Sequence, residues 1–267
     1  MTAADTVRDI LAPFSPEIGV CAFDDIRDHL RPCRAMSRIP QNARSVIVML
    51  FPYAVDDPAP RNISRYACVK DYHDAIGAVL QEAAAALSDA FPYDLFVPFV
   101  DNSPLPEIHC ATKAGLGVKG DHGLFISDRF GSFVFIGCLV TTLALPAANA
   151  EDRGCLHCGA CAAACPGGCL PGTDRRRCLS ALTQKKGALT PEEEALVKEG
   201  GLLWGCDRCQ EVCPMNAGKP IAPHPALSPY DPWLSEQSLA SLEGKAYAWR
   251  GEQVLRRNLK LMEPSTK

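Results

Sequence analysis

Fourteen cysteines occur in this chain of 267 residues, and eight of them fall at spacings that can hold metal. Cys155, Cys158, Cys161 and Cys165 form a C-x2-C-x2-C-x3-C run closed by Pro166. Cys206, Cys209 and Cys213 form a second run closed by Pro214, and Cys178 stands between the two. In a run of the first kind, three thiolates surround one 4Fe–4S cubane while the fourth cysteine turns to a second cluster. The expected sets are therefore Cys155, Cys158, Cys161 and Cys213 for the first cluster, and Cys165, Cys178, Cys206 and Cys209 for the second. Cys169 competes with Cys178 as the eighth ligand. Paired C-x2-C motifs also bind zinc tetrahedrally, but zinc sites rarely use a triplet run ending in C-x3-C-P. The chemistry these residues predict is electron transfer.

The elements that must position these thiols divide at a composition change over residues 145–153 (LPAANAEDR), which reads as a linker. Residues 1–148 read as a mixed α/β unit and residues 149–267 as a ferredoxin-like two-cluster module with a helical tail, an α+β fold overall. In the first unit the β-branched run 45–53 (SVIVMLFPY) predicts a buried strand. An alanine-rich helical pattern runs over 65–90, and a second strand, 95–100, delivers Asp101 at its end. Residues 105–116 read as a helix closed by Gly115 and Gly117. Segments 124–127 and 132–142, about the turn 128–131, read as a β-hairpin. In the second unit Thr190-Pro191-Glu192-Glu193 carries a cap, a first-turn proline and a capping-box glutamate, so a helix starts there. Residues 220–232 are proline-rich and extended, and 235–262 are helical in pieces.

Composition sets the bounds. Hydrophobic content of 47% and charged content of 22% belong to an ordinary globular protein. A net charge of −4 gives no global attraction for nucleic acid. Basic residues gather locally at Arg175, Arg176 and Arg177, at Lys185 and Lys186, and at Arg256, Arg257 and Lys260, which read as a solvated face able to touch phosphates. Residues 1–9 carry no secretory signal, and the longest apolar run, 133–145, is too short and broken to span a bilayer. Clustered cysteines without a signal favour thiolate ligation in a reducing cytoplasm. Cys21, Cys33, Cys68, Cys110 and Cys138 are scattered and read as buried or incidental thiols. About 150 residues precede the clusters, and they call for a second redox centre.

The chain resembles the epoxyqueuosine reductase family, cobalamin- and iron–sulfur-dependent enzymes that complete the tRNA wobble base queuosine. The matching pieces are residues 43–47 (ARSVI), 65–73 (RYACVKDYH), 100–104 (VDNSP), 114–120 (AGLGVKG), 131–142 (GSFVFIGCLVTT), both cysteine runs with Cys178-Leu179-Ser180, and 204–216 (WGCDRCQEVCPMN). The resemblance implies a cobalamin-binding α/β domain with the ferredoxin-like module packed on it, and a base-off corrinoid held between that domain and one cluster. It implies that electrons from an external ferredoxin- or flavodoxin-type donor reach cobalt through the clusters, and that a substrate epoxide becomes an alkene. Asp101 takes the position of the family's general acid; a carboxyl kept protonated by burial would suit that role. The alternative is that Asp101 caps the following helix. Corrinoid contacts carried over by position are Tyr66, Cys68, Asp101, Phe125, Ile136, His157, Cys206 and Asp207.

Departures from the family accompany the match. Leu105-Pro106-Glu107-Ile108 stands where an arginine is usual, and Gly117-Val118-Lys119-Gly120-Asp121-His122 lacks the usual tryptophan and has Asp-His in place of Lys-Asn. Asp71-Tyr72-His73 followed by Gly77 nearly spells the motif of His-ligated cobalamin proteins, but with the glycine one residue late, and His73 reads as a mid-helix surface residue. Relatives continue past residues 254–262 into a helical-repeat domain that helps grip tRNA, so tRNA is a weakened expectation as partner. Two rival readings stand beside tRNA reduction: a cobalamin-dependent reductase of a small molecule, and a non-catalytic electron carrier or cobalamin-handling protein.

Overall fold

Eight consecutive residues, Ser45–Pro52, are buried without exception, as a strand covered on both faces requires. In the computed structural model, which describes residues 2–56, 60–150, 153–172 and 174–263, this strand is β2. The first half runs α1 (Ala3–Leu11), β1 (Glu17–Ala22), β2, α2 (Tyr72–Ala90), β3 (Phe96–Val100), α3 (Glu107–Lys113), β4 (Gly117–Lys119), β5 (Phe125–Ser127) and β6 (Val134–Thr141). Four strands form one antiparallel sheet in the order β1-β2-β6-β3. Alternation along β2 sends Ile47, Met49 and Phe51 to one face, against Ile76, Leu80 and Leu87 of α2. Val46, Val48 and Leu50 go to the other face, against Cys110 and Ala111 of α3. Gly137 of β6 lets α2 approach closely, because a Cβ there would stand 2.8 Å from the Phe51 ring and 3.0 Å from Leu80.

Two local expectations are corrected. The helix begins at Tyr72, not at residue 65: Arg65–Ala67 is a short 3-10 turn, and Asp71 then caps α2 by accepting the His73 amide at 3.0 Å. A capping carboxylate outweighs the helical propensity of the residues before it. The hairpin also fails to form between its expected partners. Ser127 and Gly131 do exchange backbone hydrogen bonds around the turn, but β5 pairs with β4, whereas β6 pairs along its length with β2 and β3. Burial of β6 in the sheet outweighs the local pairing that the turn suggests.

The second half carries α4 (Ala160–Ala163), α5 (Leu179–Gln184), α6 (Pro191–Gly200), α7 (Arg208–Glu211) and α8 (Glu252–Met262). The predicted capping box forms at Thr190 and Glu193, and Gly201 at φ 72° ends α6. The tail is helical in pieces, with 3-10 turns at Gln237–Ala240 and Ala248–Arg250 before α8. Glu151 and Asp152 of the expected linker lie outside the described residues. One core cluster draws on both halves: Ile63, Ala67 and Cys68 pack with Leu203, Trp204 and Tyr247. At this junction Gly205, at φ 73°, lies so close to Ser64 that a Cβ would stand 1.9 Å from its hydroxyl.

Candidate functional site

Cys161 lies in α4, Cys209 in α7 and Cys178 just before α5, and α4 packs against α7, so the two cysteine runs interlock. Cys155, Cys158, Cys161 and Cys213 line a single cavity, together with Asp121, His122 and His157. Cys178, Cys206 and Cys209 lie together on the wall of a second, larger cleft. Burial, and the Cys206, Cys178 and Cys165 thiols around it, push the Cys209 thiol up to about 12. Burial likewise raises Cys206, to about 11. Cys169 is buried beside Cys165 and Cys178, its amide donating to the Cys165 sulfur at 3.4 Å, and it does not line the cleft. A mononuclear zinc site needs thiolate sulfurs about 3.8 Å apart. Among the described residues no three cysteines meet even a 4.8 Å limit; the one trio of ligand atoms that does is Asp121, Cys155 and His157. Wider-set thiols in two groups of four suit cubane clusters.

The cleft, about 1330 Å³ with its open mouth, is walled by tyrosines and by apolar residues of β5, β6 and α3. Asp101 stands on its edge in the left-handed region, φ 44°, directly after β3; an aspartate tolerates that conformation better than most side chains. The Tyr72 hydroxyl donates to Asp101 Oδ2 at 2.6 Å, and His73 Nε2 meets the same oxygen at 2.9 Å. The other ring nitrogen of His73 lies 2.7 Å from Asp71 Oδ1. An imidazole between two carboxylates holds its proton: the Asp101 and Asp71 contacts raise His73 to about 9. His73 in turn, with Tyr72 assisting against burial, lowers Asp101 to about 2. The expected neutral carboxyl is therefore corrected; hydrogen bonding outweighs desolvation, and the proton resides on His73. Asp101 is no helix cap either, because α3 follows Pro106 with no side-chain cap. Glu107, also on the cleft, accepts from the Ser103 hydroxyl at 3.1 Å, and burial pushes it up to about 7.

Of the residues carried over as corrinoid contacts, Tyr66, Asp101, Phe125, Ile136 and Cys206 all line this cleft. Tyr66 is fixed there by the Trp204 indole, which donates to its hydroxyl at 2.8 Å. Cys68 is buried away from it, with its thiol against the Ser64 carbonyl at 3.3 Å. Asp207 is buried as well; it accepts the Arg65 amide at 2.8 Å and pairs with Arg61 at 3.3 Å, so it braces the junction. His157 lies in the first cysteine cavity, φ 49°, with Nδ1 2.9 Å from Asp121. The sequence reading missed His73 as a partner of Asp101; the capping role of Asp71, which starts the helix there, was the signal that would have found it. Among the basic residues, Arg176 pairs with Asp174, Lys185 with Glu193, and Arg256 with Glu236 and Glu252. Arg257 is turned inward onto the carbonyls of Lys185 and Gly187. Arg175 reaches the cleft, donating to the His122 carbonyl at 3.1 Å.

Among the described residues no helix is long and apolar enough to cross a membrane. Residues 154–216 match the family described as 4Fe-4S double cluster binding domain, and residues 34–102 match that described as Epoxyqueuosine reductase QueG, DUF1730. The epoxyqueuosine reductase of Escherichia coli (strain K12) is 34% identical over 232 residues, 83% of this chain but 56% of that protein. The chain thus spans little more than half the length of this curated relative. The epoxyqueuosine reductase of Gloeobacter violaceus is 34% identical over 239 residues, 84% of this chain and 75% of that protein. In fold, the Streptococcus thermophilus epoxyqueuosine reductase matches with a TM-score of 0.83 at 24% identity, covering 98% of this chain and 81% of that one. An epoxyqueuosine reductase crystallised with an epoxyqueuosine-modified tRNA stem loop matches with a TM-score of 0.81 at 25% identity, covering 97% and 80%. With two interlocked cysteine sets, a cleft edged by Asp101 and this extent of identity, the chain belongs to the epoxyqueuosine reductase family.

Proposed function

We propose that the chain is a cytoplasmic corrinoid- and iron–sulfur-dependent reductase that converts epoxyqueuosine in tRNA to queuosine. Residues 1–148 hold the corrinoid and residues 149–267 carry the clusters. One observation carries this reading above the others: Asp101 and the thiols Cys178, Cys206 and Cys209 line the same cleft. The cleft is broad, and its aromatic and aliphatic walls fit the faces of a corrin. Tyr66, Phe125 and Ile136 would hold that ring. Bound there, the corrinoid would supply a strongly reducing cobalt centre fed one electron at a time by the clusters. Electrons would come from an external ferredoxin- or flavodoxin-type donor, and the exposure of Cys158 supports entry at the first set.

Reduction of an epoxide to an alkene consumes two electrons and two protons and releases water. The chain's own residues meet the proton demand. Asp101 takes the proton of His73 across their 2.9 Å contact and hands it to the departing oxygen. Asp71 fixes the imidazole so that it can be reprotonated for the second transfer. Tyr72 holds the carboxylate in place through both. Arg175 at the cleft offers a cation to a substrate phosphate.

The test is anaerobic reconstitution with iron, sulfide and cobalamin, followed by turnover on tRNA bearing epoxyqueuosine, read by mass spectrometry of the nucleosides. The expected result is two clusters and one corrinoid per chain, with queuosine formed. Failure to retain any corrinoid would replace this reading with that of an electron carrier. Full loading without queuosine would replace it with small-molecule reduction.

A further inference from the structure

We propose that His122 is a hydrogen-bond donor to the first 4Fe–4S cluster, its Nε2–H meeting a sulfur in the cavity walled by Cys155, Cys158, Cys161 and Cys213. His122 is 4% exposed. Its Nδ1 accepts the Leu124 amide at 3.1 Å, so that nitrogen carries no proton and the hydrogen sits on Nε2. Nε2 is itself buried and has no partner among the described residues. A buried N–H left unmet is costly, and such a group points to an acceptor that the protein does not itself provide.

His122 borders both the cysteine cavity and the cleft, and the packing of its ring decides between them. A Cβ on Gly120 would stand 2.7 Å from His122 Cε1 and 3.0 Å from Nε2, and 2.9 Å from the Ile126 side chain. Gly120 and Ile126 wall the cysteine cavity, and neither lines the cleft. The Nε2 edge thus lies on the side of the cysteine cavity, while the Nδ1 edge is tied to Leu124 on the cleft side. Glycine at 120 keeps open the space that the contact needs. Hydrogen bonds to cluster sulfurs draw negative charge away and raise the reduction potential. His122 therefore makes the first cluster easier to reduce, and its carbonyl, held by Arg175 at 3.1 Å, ties that cluster's wall to the cleft.

The inference rests on the cysteine cavity holding a cluster and not on the identity of the substrate. Its test is a substrate-free, EPR-monitored redox titration of the reconstituted protein, comparing wild type with His122→Phe, which keeps a ring without a donor, and His122→Asn, which restores a shorter donor. The expected result is a shift of the first cluster to more negative potential in His122→Phe, with the second cluster and total iron unchanged, and partial recovery in His122→Asn. An unchanged first-cluster potential at full iron overturns the proposal. A shift confined to the second cluster overturns it too. If His122→Phe loses its iron, pulsed EPR decides: ¹⁵N-histidine-labelled His157→Gln protein leaves His122 as the histidine lining the cavity. Its reduced first cluster must then show coupling to ¹⁵N and to an exchangeable proton, and the lack of both refutes the contact. A loaded protein that fails on tRNA would sink the proposed function while leaving these potentials as they are.

Discussion

Asp101 meets the cleft as a carboxylate, and the group that keeps it ionised is also the one that can turn it back into an acid. Asp101→Asn removes the transferable proton but not the shape, so turnover is expected to fall by about 10²- to 10⁴-fold with iron and corrinoid retained. His73→Gln separates delivery from supply. With His73 raised to about 9 and Asp101 lowered to about 2, wild-type activity should hold through neutral pH and decline as pH rises through about 9. In His73→Gln that alkaline limb should vanish and Asp101 should return toward its ordinary range; a pH profile with the limb intact rules out the supply role. The same pair contributes to stability above the ordinary aspartate range and loses that contribution as pH falls toward about 2 or rises through about 9. Both side chains are part-exposed, so kinetics, not melting, is the sensitive readout. Glu107 works in the opposite sense. Burial raises it from the ordinary glutamate range to about 7, so its contribution is present below the ordinary range and lost as pH rises through 7. Glu107→Gln should therefore gain in melting temperature over wild type between pH 5 and 8, and equal melting curves at both ends would refute this.

Elements decide whether such residues meet at all, and the junction at Gly205 is the tightest of these meetings. Its φ of 73° and its contact with Ser64 leave no room for a methyl group. Gly205→Ala should cost on the order of 1–3 kcal/mol and loosen Cys206 first, seen as loss of second-cluster iron before loss of the sheet in circular dichroism. Much of this architecture was legible beforehand. β2 was plain because a β-branched run buried on both faces has no other home, and α6 was plain because its cap, proline and glutamate sit in adjacent positions. Local signals failed where partners are distant. The turn at 128–131 exists, but nothing in it says that β6 pairs with β2 and β3. Residues 65–71 carry helical propensity, but their place is set by Trp204 and Asp207 across the junction. Asp101 was singled out by the family resemblance of residues 100–104, whereas the state of its proton depends on His73, 28 residues away.

At the scale of the whole molecule, the distribution of thiols ties the two cysteine runs into one body. Cys213 leaves its own run to complete the cavity of Cys155, Cys158 and Cys161, while Cys165 neighbours Cys209 in the other set. With these ligand sets each cluster would pin α4 to α7 from a different side, and losing one should not remove the other at once. Cys213→Ser should lower iron by about half, as expected for one of two four-iron clusters, and eliminate the EPR signal of the first cluster. Cys178→Ser should do the same to the second cluster and also silence turnover, because its thiol lines the cleft. Cys169→Ser should keep full iron, since Cys206, Cys178 and Cys165, and not Cys169, are the thiols gathered around Cys209. The decisive comparison is between these last two variants. If Cys169→Ser loses the second cluster and Cys178→Ser keeps it, the roles are exchanged, and the link between that cluster and the wall facing Asp101 would have to run through Cys206 and Cys209 alone.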